Sequence, residues 1–222
     1  MMDNKIKILL VDDHPVLREG IKTVLELNGA FLIVGEADSG FKACELLPST
    51  KPDVVLMDIR MEKMDGIKAS RNIKMLYPET RILLLTMHDD DNYIIEALEI
   101  GVEGYILKMS EMEKVIDAIK LIYEGETYFD PKITKSISER TRDLRKENPS
   151  ENLTQKFDLT PREVEVVEGI VNGLSSRQIA EKLFISLNTV YNHRRNIFSK
   201  LKINKSSELI SFAINNGLFF IK

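Results

Sequence analysis

Short apolar runs alternate with helical patterns through the first 130 residues of the chain. The runs are continuously apolar and do not alternate with polar residues, which is typical of strands covered on both faces. They span residues 6–11, 32–37, 54–58, 82–86 and 104–107. The helical patterns between and after them span residues 15–27, 40–47, 65–77, 91–100 and 110–124. Five βα repeats predict an α/β domain with a doubly wound, five-stranded parallel sheet and helices on both of its faces.

The pattern changes after residue 130. Residues 131–156 are polar and charged and hold few large apolar side chains, so we interpret them as a linker. Residues 157–222 follow a helical pattern throughout, with recognisable starts and stops. These signals are the capping box Thr160–Glu163, the stop Gly173, the caps Ser175 and Ser186, and the stop Gly217. The sequence therefore predicts a first domain over residues 1–130 and a second, all-α domain of four helices over residues 157–222.

Composition and charge add an asymmetry to this picture. The 222 residues are 43% hydrophobic and 30% charged, as expected of a soluble globular protein. No stretch approaches the roughly 20 apolar residues of a membrane span, so we expect no membrane association and a cytoplasmic location. Residues 152–222 hold ten Lys/Arg against six Asp/Glu, although the whole chain carries a net charge of −4. The basic C-terminal part is thus the candidate for binding a polyanion.

Cys44 is the only cysteine, so the chain forms no intramolecular disulfide. It lies in an amphipathic helical pattern, and we expect it to serve packing rather than reactivity. His14 and His88 lie near strand ends, and we expect them to be satisfied or solvent-facing histidines rather than ligands.

Polar residues close four of the predicted strands. They are Asp12 and Asp13 after the first strand, Asp58 at the third, Thr86 at the fourth and Lys108 after the fifth. With the strand order 2-1-3-4-5, the carboxyl ends of these four strands are neighbours, and ligands of open α/β sheets bind at that edge.

Three carboxylates at one edge repel one another unless a cation neutralises them. Mg²⁺ suits the site, because it binds through carboxylates, waters and phosphate oxygens. An Asp carboxylate beside Mg²⁺ is a candidate nucleophile towards a phosphoryl group, and Asp58 has this position. Lys108 supplies a fixed cation, and Thr86 supplies a hydroxyl donor for the phosphoryl oxygens.

Residues 5–125 resemble the receiver domain of response regulators. The matching motifs are Leu9-Leu10-Val11-Asp12-Asp13-His14, Asp58-Ile59-Arg60-Met61, Met64-Asp65-Gly66, Leu84-Leu85-Thr86 and Gly104-Tyr105-Ile106-Leu107-Lys108. The resemblance implies a flavodoxin-like fold and transfer of a phosphoryl group from a sensor histidine kinase to Asp58. It also implies that Asp13 binds Mg²⁺ directly, Asp12 directly or through water, and Arg60 through its backbone carbonyl. Thr86 and Tyr105 would form a switch pair, in which the hydroxyl moves towards the phosphoryl group and the ring rotates inward.

Two residues depart from the receiver pattern. The family usually has proline after Met61 and often after the lysine, where this chain has Glu62 and Met109. The first departure affects the loop beside the site. The second leaves open whether the peptide bond before Met109 is cis.

The third predicted helix of the second domain has a polar face. At 100° per residue, Val190, Ile197 and Leu201 lie together and face the core. The opposite side carries amides, hydroxyls and cations that suit base edges and phosphates, namely Asn188, Tyr191, Asn192, Arg195, Ser199 and Lys202. Ser186 caps this helix, whose N-terminus adds backbone donors for a phosphate.

Residues 158–220 resemble the LuxR/NarL (FixJ-like) helix-turn-helix domain. The matching motifs include Leu159-Thr160-Pro161-Arg162-Glu163, Gln178-Ile179-Ala180, Leu183-Phe184-Ile185-Ser186, Thr189-Val190 and Asn192-His193-Arg194. The resemblance implies that the third helix enters the major groove and that the fourth supports dimerisation. We include Thr189 and Arg194 among the predicted DNA contacts. Tyr191 stands where the family commonly has lysine, which leaves base preference at that position open.

Together the motifs predict a two-component response regulator that binds double-stranded DNA as a homodimer and regulates transcription. Its own chemistry would be limited to self-phosphorylation from a phosphodonor and slow autodephosphorylation. One alternative is a Mg²⁺-dependent phosphohydrolase that uses Asp58 covalently, although no substrate-binding insertion separates the strands. A second alternative is a regulator that acts without phosphorylation and uses its first domain for dimerisation.

Overall fold

The computed structural model describes residues 5–87, 91–130, 132 and 157–216. The chain divides into two compact units, residues 1–125 and 126–222. The first unit alternates strands and helices: β1 (Ile6–Val11), α1 (Pro15–Asn28), β2 (Phe31–Ala37), α2 (Gly40–Thr50), β3 (Val54–Asp58), α3 (Gly66–Leu76), β4 (Arg81–Thr86), α4 (Asp91–Ile100), β5 (Gly104–Leu107) and α5 (Met112–Tyr123). The second contains β6 (Tyr128–Phe129), α6 (Pro161–Val171), α7 (Ser176–Leu183), α8 (Leu187–Leu201) and α9 (Ser206–Asn216).

Within the first unit the strands have the order β2-β1-β3-β4-β5, and the pairs from β2 to β5 are parallel. The central strand β3 is buried along its whole length, because helices cover both faces of the sheet. The predicted parallel sheet and its order are confirmed. The second unit begins with a strand that was not predicted, the two-residue β6, which is too short to produce a pattern in the sequence.

The register of the sheet brings polar residues to one edge. Val11 of β1 is paired with Met57, and Asp58 is paired with Leu85 of β4. Thr86 is paired with Leu107, immediately before Lys108. The residues at the carboxyl ends of β1, β3, β4 and β5 therefore converge, as the strand order requires.

Local signals explain where the helices of the second unit begin. Thr160 and Glu163 form a reciprocal capping box at the start of α6, and Ser175 and Gln178 form another at the start of α7. The side chain of Ser186 accepts a hydrogen bond from the Thr189 amide at the start of α8. These predicted caps are confirmed, and Gly173 after α6 has the left-handed φ of +72° that favours glycine.

Some predictions fall partly or wholly outside the described residues. The predicted linker, residues 131–156, lies outside them apart from Lys132, and so do Gly217 and His88. Within the described ranges all peptide bonds are trans, including the bond before Met109. None of the helices in these ranges has both the length and the hydropathy that a membrane span requires. Cys44 is partly buried in α2, and burial raises the pKa of its thiol, which disfavours the reactive thiolate.

Candidate functional site

Asp58 lies at the centre of the acidic edge. It ends β3 and is only 2% exposed. Lys108 Nζ is 2.6 Å from Asp58 Oδ2 and 2.7 Å from Asp12 Oδ2, and the Lys108 side chain is 3% exposed. The approach to Asp12 is a close ion pair without hydrogen-bond geometry. One buried ammonium is thus shared between two buried carboxylates.

The charge balance at this edge favours an additional cation. Burial raises the pKa of Asp58 above its ordinary value of 3.8, the Lys108 ammonium opposes the rise, and the Asp12 carboxylate adds to it. Ligand atoms of Asp12, Asp13, His14 and Asp58 all lie within 4.8 Å of one another. Three carboxylates with one ammonium among them leave net negative charge, which a hard divalent cation would offset.

Asp13 is held from two sides. Its Oδ2 accepts a hydrogen bond of 3.2 Å from the Glu62 amide, and its Oδ1 lies 2.8 Å from His14 Nδ1. Proline has no N–H group, so a proline at position 62, as is usual in the family, could not make the first of these bonds. The departure at Glu62 therefore adds a donor that orients one carboxylate of the site.

His14 contacts the acidic cluster although its side chain is 68% exposed. Its Nδ1 also lies 3.2 Å from Asp12 Oδ1, and its backbone amide donates to the same oxygen at 2.8 Å. The partly solvent-facing position agrees with the prediction, but its approach to both acids was not predicted. The signal was available in the sequence, since His14 directly follows Asp13.

Arg60 follows the acceptor position in the loop after β3. Its backbone amide donates to Asp58 Oδ1 at 3.3 Å, and its guanidinium lies 5.9 Å from the centre of the Tyr93 ring. Arg60 therefore lies beside Asp58.

The predicted switch residues lie on neighbouring strands. Thr86 ends β4 and is 2% exposed, while Tyr105 in β5 is fully buried. The Tyr105 ring is thus already inside the protein in this structure.

Gly66 brings α3 close to the acceptor. A Cβ atom added at Gly66 would lie 2.1 Å from the Asp58 carbonyl oxygen, and the Gly66 amide donates to the Ile59 carbonyl at 2.8 Å. Only a residue without a side chain permits this approach. The glycine therefore fixes the backbone that carries Asp58 against the start of α3.

A second polar surface lies on α8. Its core side is formed by Val190 and Ile197, which are fully buried. Most of the predicted DNA contacts are exposed, namely Ser186, Asn188, Tyr191, Asn192, Arg195, Ser199 and Lys202. We call these seven residues the α8 face; Arg195 Nη2 donates to Asn192 Oδ1 within it, at 3.1 Å.

Two residues predicted as DNA contacts are less exposed than the α8 face. Thr189 is half-buried, and its hydroxyl lies 2.7 Å from the Ser186 hydroxyl. Arg194 has a side chain that is 12% exposed and hydrogen-bonded within the second unit. Arg194 stands four residues after Val190 and three before Ile197, a spacing that already places it beside the buried stripe.

Fold and sites together define a class of protein: a parallel α/β unit with an acidic cluster at one edge of its sheet, followed by a helical unit that presents an exposed polar helix face. Comparison with known families agrees. The family model described as response regulator receiver domain matches residues 8–120, and the model described as bacterial regulatory proteins, luxR family, matches residues 158–213. The chain belongs to the two-component response regulators with a LuxR-type DNA-binding domain, which are transcription regulators rather than enzymes.

Curated relatives and a solved structure are similar over nearly the whole chain. The transcriptional regulatory protein DegU of Brevibacillus brevis is 36% identical, over 97% of this chain and 95% of its own length. The oxygen regulatory protein NreC of Staphylococcus carnosus is 36% identical over 96% of this chain and 99% of its own. The crystal structure of the response regulator ChrA, from a heme-sensing two-component system, is 32% identical with a TM-score of 0.53, covering 97% of this chain and 99% of that one.

Proposed function

We propose that Asp58 is the phosphoryl acceptor of this regulator and that a sensor histidine kinase is its donor. The observation that carries the proposal is the pair of contacts that Lys108 Nζ makes with the buried carboxylates of Asp58 and Asp12. An ammonium at this position can follow Asp58 from carboxylate to acyl phosphate, because it can bind a phosphoryl oxygen as readily as a carboxylate oxygen.

The transfer step is an exchange of bonds at phosphorus. A carboxylate oxygen of Asp58 attacks, a P–O bond to Asp58 forms, and the P–N bond of the phosphohistidine donor breaks, leaving a histidine nitrogen that takes a proton. Lys108 neutralises charge on the phosphoryl oxygens, and the Thr86 hydroxyl, at the neighbouring strand end, donates to one of them. Tyr105 moves together with Thr86 as the switch pair.

The residues at the site fit Mg²⁺. Asp12, Asp13, Asp58 and the Arg60 backbone carbonyl would hold it, and the ion supplies charge neutralisation for the carboxylates and the incoming phosphoryl group. Support comes from the cluster of ligand atoms within 4.8 Å and from the buried Asp13 Oδ1, which among the described residues accepts no hydrogen bond of good geometry.

The α8 face is the proposed DNA surface, with Thr189 at its edge. Arg195 and the amides suit base edges in the major groove, and Lys202 and the hydroxyls suit phosphates. A homodimer formed on phosphorylation or on DNA would read two half-sites related by two-fold symmetry. The proposed functional domains are residues 1–130 and 157–222, joined by 131–156, whereas the compact units divide after residue 125 and so place Glu126 in the second unit. A location in the bacterial cytoplasm is proposed from the DNA partner.

One set of variants can test both the phosphoryl acceptor and the effect of phosphorylation on DNA binding. Wild type, Asp58→Asn and Asp117→Asn are incubated with Mg²⁺ and acetyl phosphate, and intact mass and DNA affinity are measured. Asp117 is the matched control, since it is an exposed aspartate on α5. We expect one added phosphoryl group and tighter DNA binding in wild type and Asp117→Asn, and neither change in Asp58→Asn.

Two results would contradict the proposal. Labelling of Asp58→Asn at the wild-type level would move the acceptor elsewhere. Equal DNA affinity of wild type with and without acetyl phosphate would favour a regulator that acts without phosphorylation.

A further inference from the structure

Arg194 forms a polar network in the interior of the second unit. Its Nη1 donates to Glu126 Oε2 and to Ser176 Oγ, and its Nη2 donates to Ser206 Oγ, each at 2.6 Å. Ser176 is the first residue of α7, and Ser206 is the first residue of α9. One guanidinium on α8 therefore joins the beginnings of two other helices.

The network is buried. The side chains of Arg194 and Glu126 are 12% and 11% exposed, and Ser176 and Ser206 are buried. A guanidinium in such surroundings needs a counter-charge as well as acceptors, because it cannot deprotonate. Glu126 supplies that charge, and it belongs to the same unit as the helices.

The geometry of a guanidinium suits this task. Its N–H groups form a planar fork with fixed directions, so three acceptors held at once determine where the fork lies. Arg194 is in the middle of α8, on the buried side next to Val190 and Ile197. Its three bonds consequently fix the rotation of α8 about its own axis relative to α7 and α9.

We propose that Arg194 is a positioning residue for DNA recognition, with Glu126 as its counter-ion. It does not touch DNA; it sets the angle at which the α8 face is presented to the groove. This inference rests on the proposed role of the α8 face, and it assigns Arg194 a role different from the direct contact predicted from the sequence.

The salt dependence of DNA binding distinguishes positioning from contact. Each phosphate that the protein no longer neutralises reduces the slope of log affinity against log salt by about 0.9. Affinity of the full chain is measured from low to physiological salt on two DNAs: a fragment selected by the wild-type protein from random sequence, and a scrambled fragment of equal length. Lys202→Ala, which removes an exposed cation from the α8 face, should lower the slope by about one and weaken binding to both DNAs.

Arg194→Ala should behave differently. We expect its affinity for the selected fragment to fall by about tenfold or more, as for removal of a charge-assisted hydrogen bond. The salt slope and the affinity for the scrambled fragment should stay at their wild-type values. Glu126→Gln keeps the acceptor but not the charge. It should therefore lower the ratio of the affinities for selected and scrambled DNA, but by less than Arg194→Ala does. The double variant should be little worse than Arg194→Ala alone, because the two residues act through one interaction.

Val167→Ala controls for general destabilisation. Val167 is fully buried in α6 and outside the network, so this variant should lower the melting temperature while keeping the selected-to-scrambled ratio. If Arg194→Ala does not fold, Glu126→Gln and Arg194→Lys provide the same comparison.

Three outcomes would overturn the inference: a slope reduced by about one in Arg194→Ala, an unchanged ratio in Arg194→Ala and Glu126→Gln, or tighter binding in Glu126→Gln. A wild-type protein that shows no preference for any DNA, or an unchanged salt slope in Lys202→Ala together with an intact selected-to-scrambled ratio in Arg195→Ala, would instead contradict the proposed α8 face itself.

Discussion

At the scale of single residues, the position of Asp58 depends on the absence of a side chain at Gly66. We predict that Gly66→Ala lowers the free energy of unfolding by about 1–3 kcal/mol, since the new methyl group meets the Asp58 carbonyl at 2.1 Å and backbone must move. Labelling by acetyl phosphate should fall as well. Urea unfolding and intact mass measure the two effects.

Gly20→Ala is the matched control for this substitution. Gly20 lies inside α1, and a Cβ added there meets nothing within 4 Å. The same chemical change should therefore stabilise the protein by roughly 0.5–1 kcal/mol and leave labelling intact. Equal effects of the two substitutions would show that the close approach to Asp58 has no special cost.

The residues of the acidic edge could be predicted because chemistry and chain position coincide there. Asp12, Asp58 and Lys108 each stand at the end of an apolar run, and a parallel sheet brings such ends together. The partner of Arg194 could not be predicted, because Glu126 is 68 residues away and no periodicity relates the two. The buried position of Arg194 was accessible from its spacing to Val190 and Ile197.

At the scale of elements, the start of α6 is tied to the end of α8 through Glu163. Glu163 Oε2 accepts hydrogen bonds from the Thr160 amide and from Lys200 Nζ, both at 2.8 Å. Burial by itself would raise the pKa of Glu163, but the bonds from Lys200 and Thr160 outweigh it, and the pKa lies below its ordinary value of 4.5. A carboxyl group whose pKa falls on folding stabilises the folded state above its unfolded pKa.

Glu163→Gln keeps an oxygen acceptor for the Thr160 amide but removes the charge that Lys200 pairs with, so we predict that it lowers the free energy of unfolding at pH 7 by about 1 kcal/mol, the difference between a charged and a neutral acceptor. The stabilising contribution of Glu163 is complete above pH 4.5 and disappears as the pH falls through its lowered folded pKa. The difference between wild type and variant should therefore narrow in acid. Urea unfolding followed by circular dichroism between pH 7 and strongly acidic solution measures it.

Glu165→Gln provides the comparison on the same helix. Glu165 pairs with Arg162 at the surface, where both side chains are at least one-third exposed, so its loss should change stability by less than about 0.5 kcal/mol. A difference for Glu163→Gln that stays constant with pH would mean that the charge of Glu163 contributes nothing.

Elements were predicted best where local signals are strong. The bounds of β1, β3 and β5 agree with the apolar runs, and the caps of α6, α7 and α8 agree with their Ser and Thr residues. Helix ends in the first unit differ by a few residues, for example α2, which continues through Pro48 to Thr50. The apolar periodicity has ended by then, so packing of the helix, not sequence pattern, determines its last turn.

At the scale of the whole molecule, the two proposed ligand sites, for Mg²⁺ and for DNA, lie in different compact units. A ligand that binds only the folded state stabilises the unit that contains its site, by about 2.7 kcal/mol at 100 times its Kd. We predict that saturating Mg²⁺ slows amide hydrogen exchange of β1, β3 and β5 by up to about 100-fold, and that a bound DNA fragment does so for α6 to α8. Exchange measured by mass spectrometry with each ligand tests this; protection by Mg²⁺ confined to α6–α8 would contradict the site assignment.

The burial of Lys108 has a consequence for how this molecule can be observed. An amine reacts with acylating reagents only when solvent reaches it; the Lys108 side chain is 3% exposed, whereas that of Lys68 is 76% exposed. Modification of Lys108 therefore has to wait for the acidic edge to open, while Lys68 reacts at once. The rate at which Lys108 is modified, relative to the rate for Lys68, therefore measures how often the acidic edge opens. The measurement needs no introduced probe.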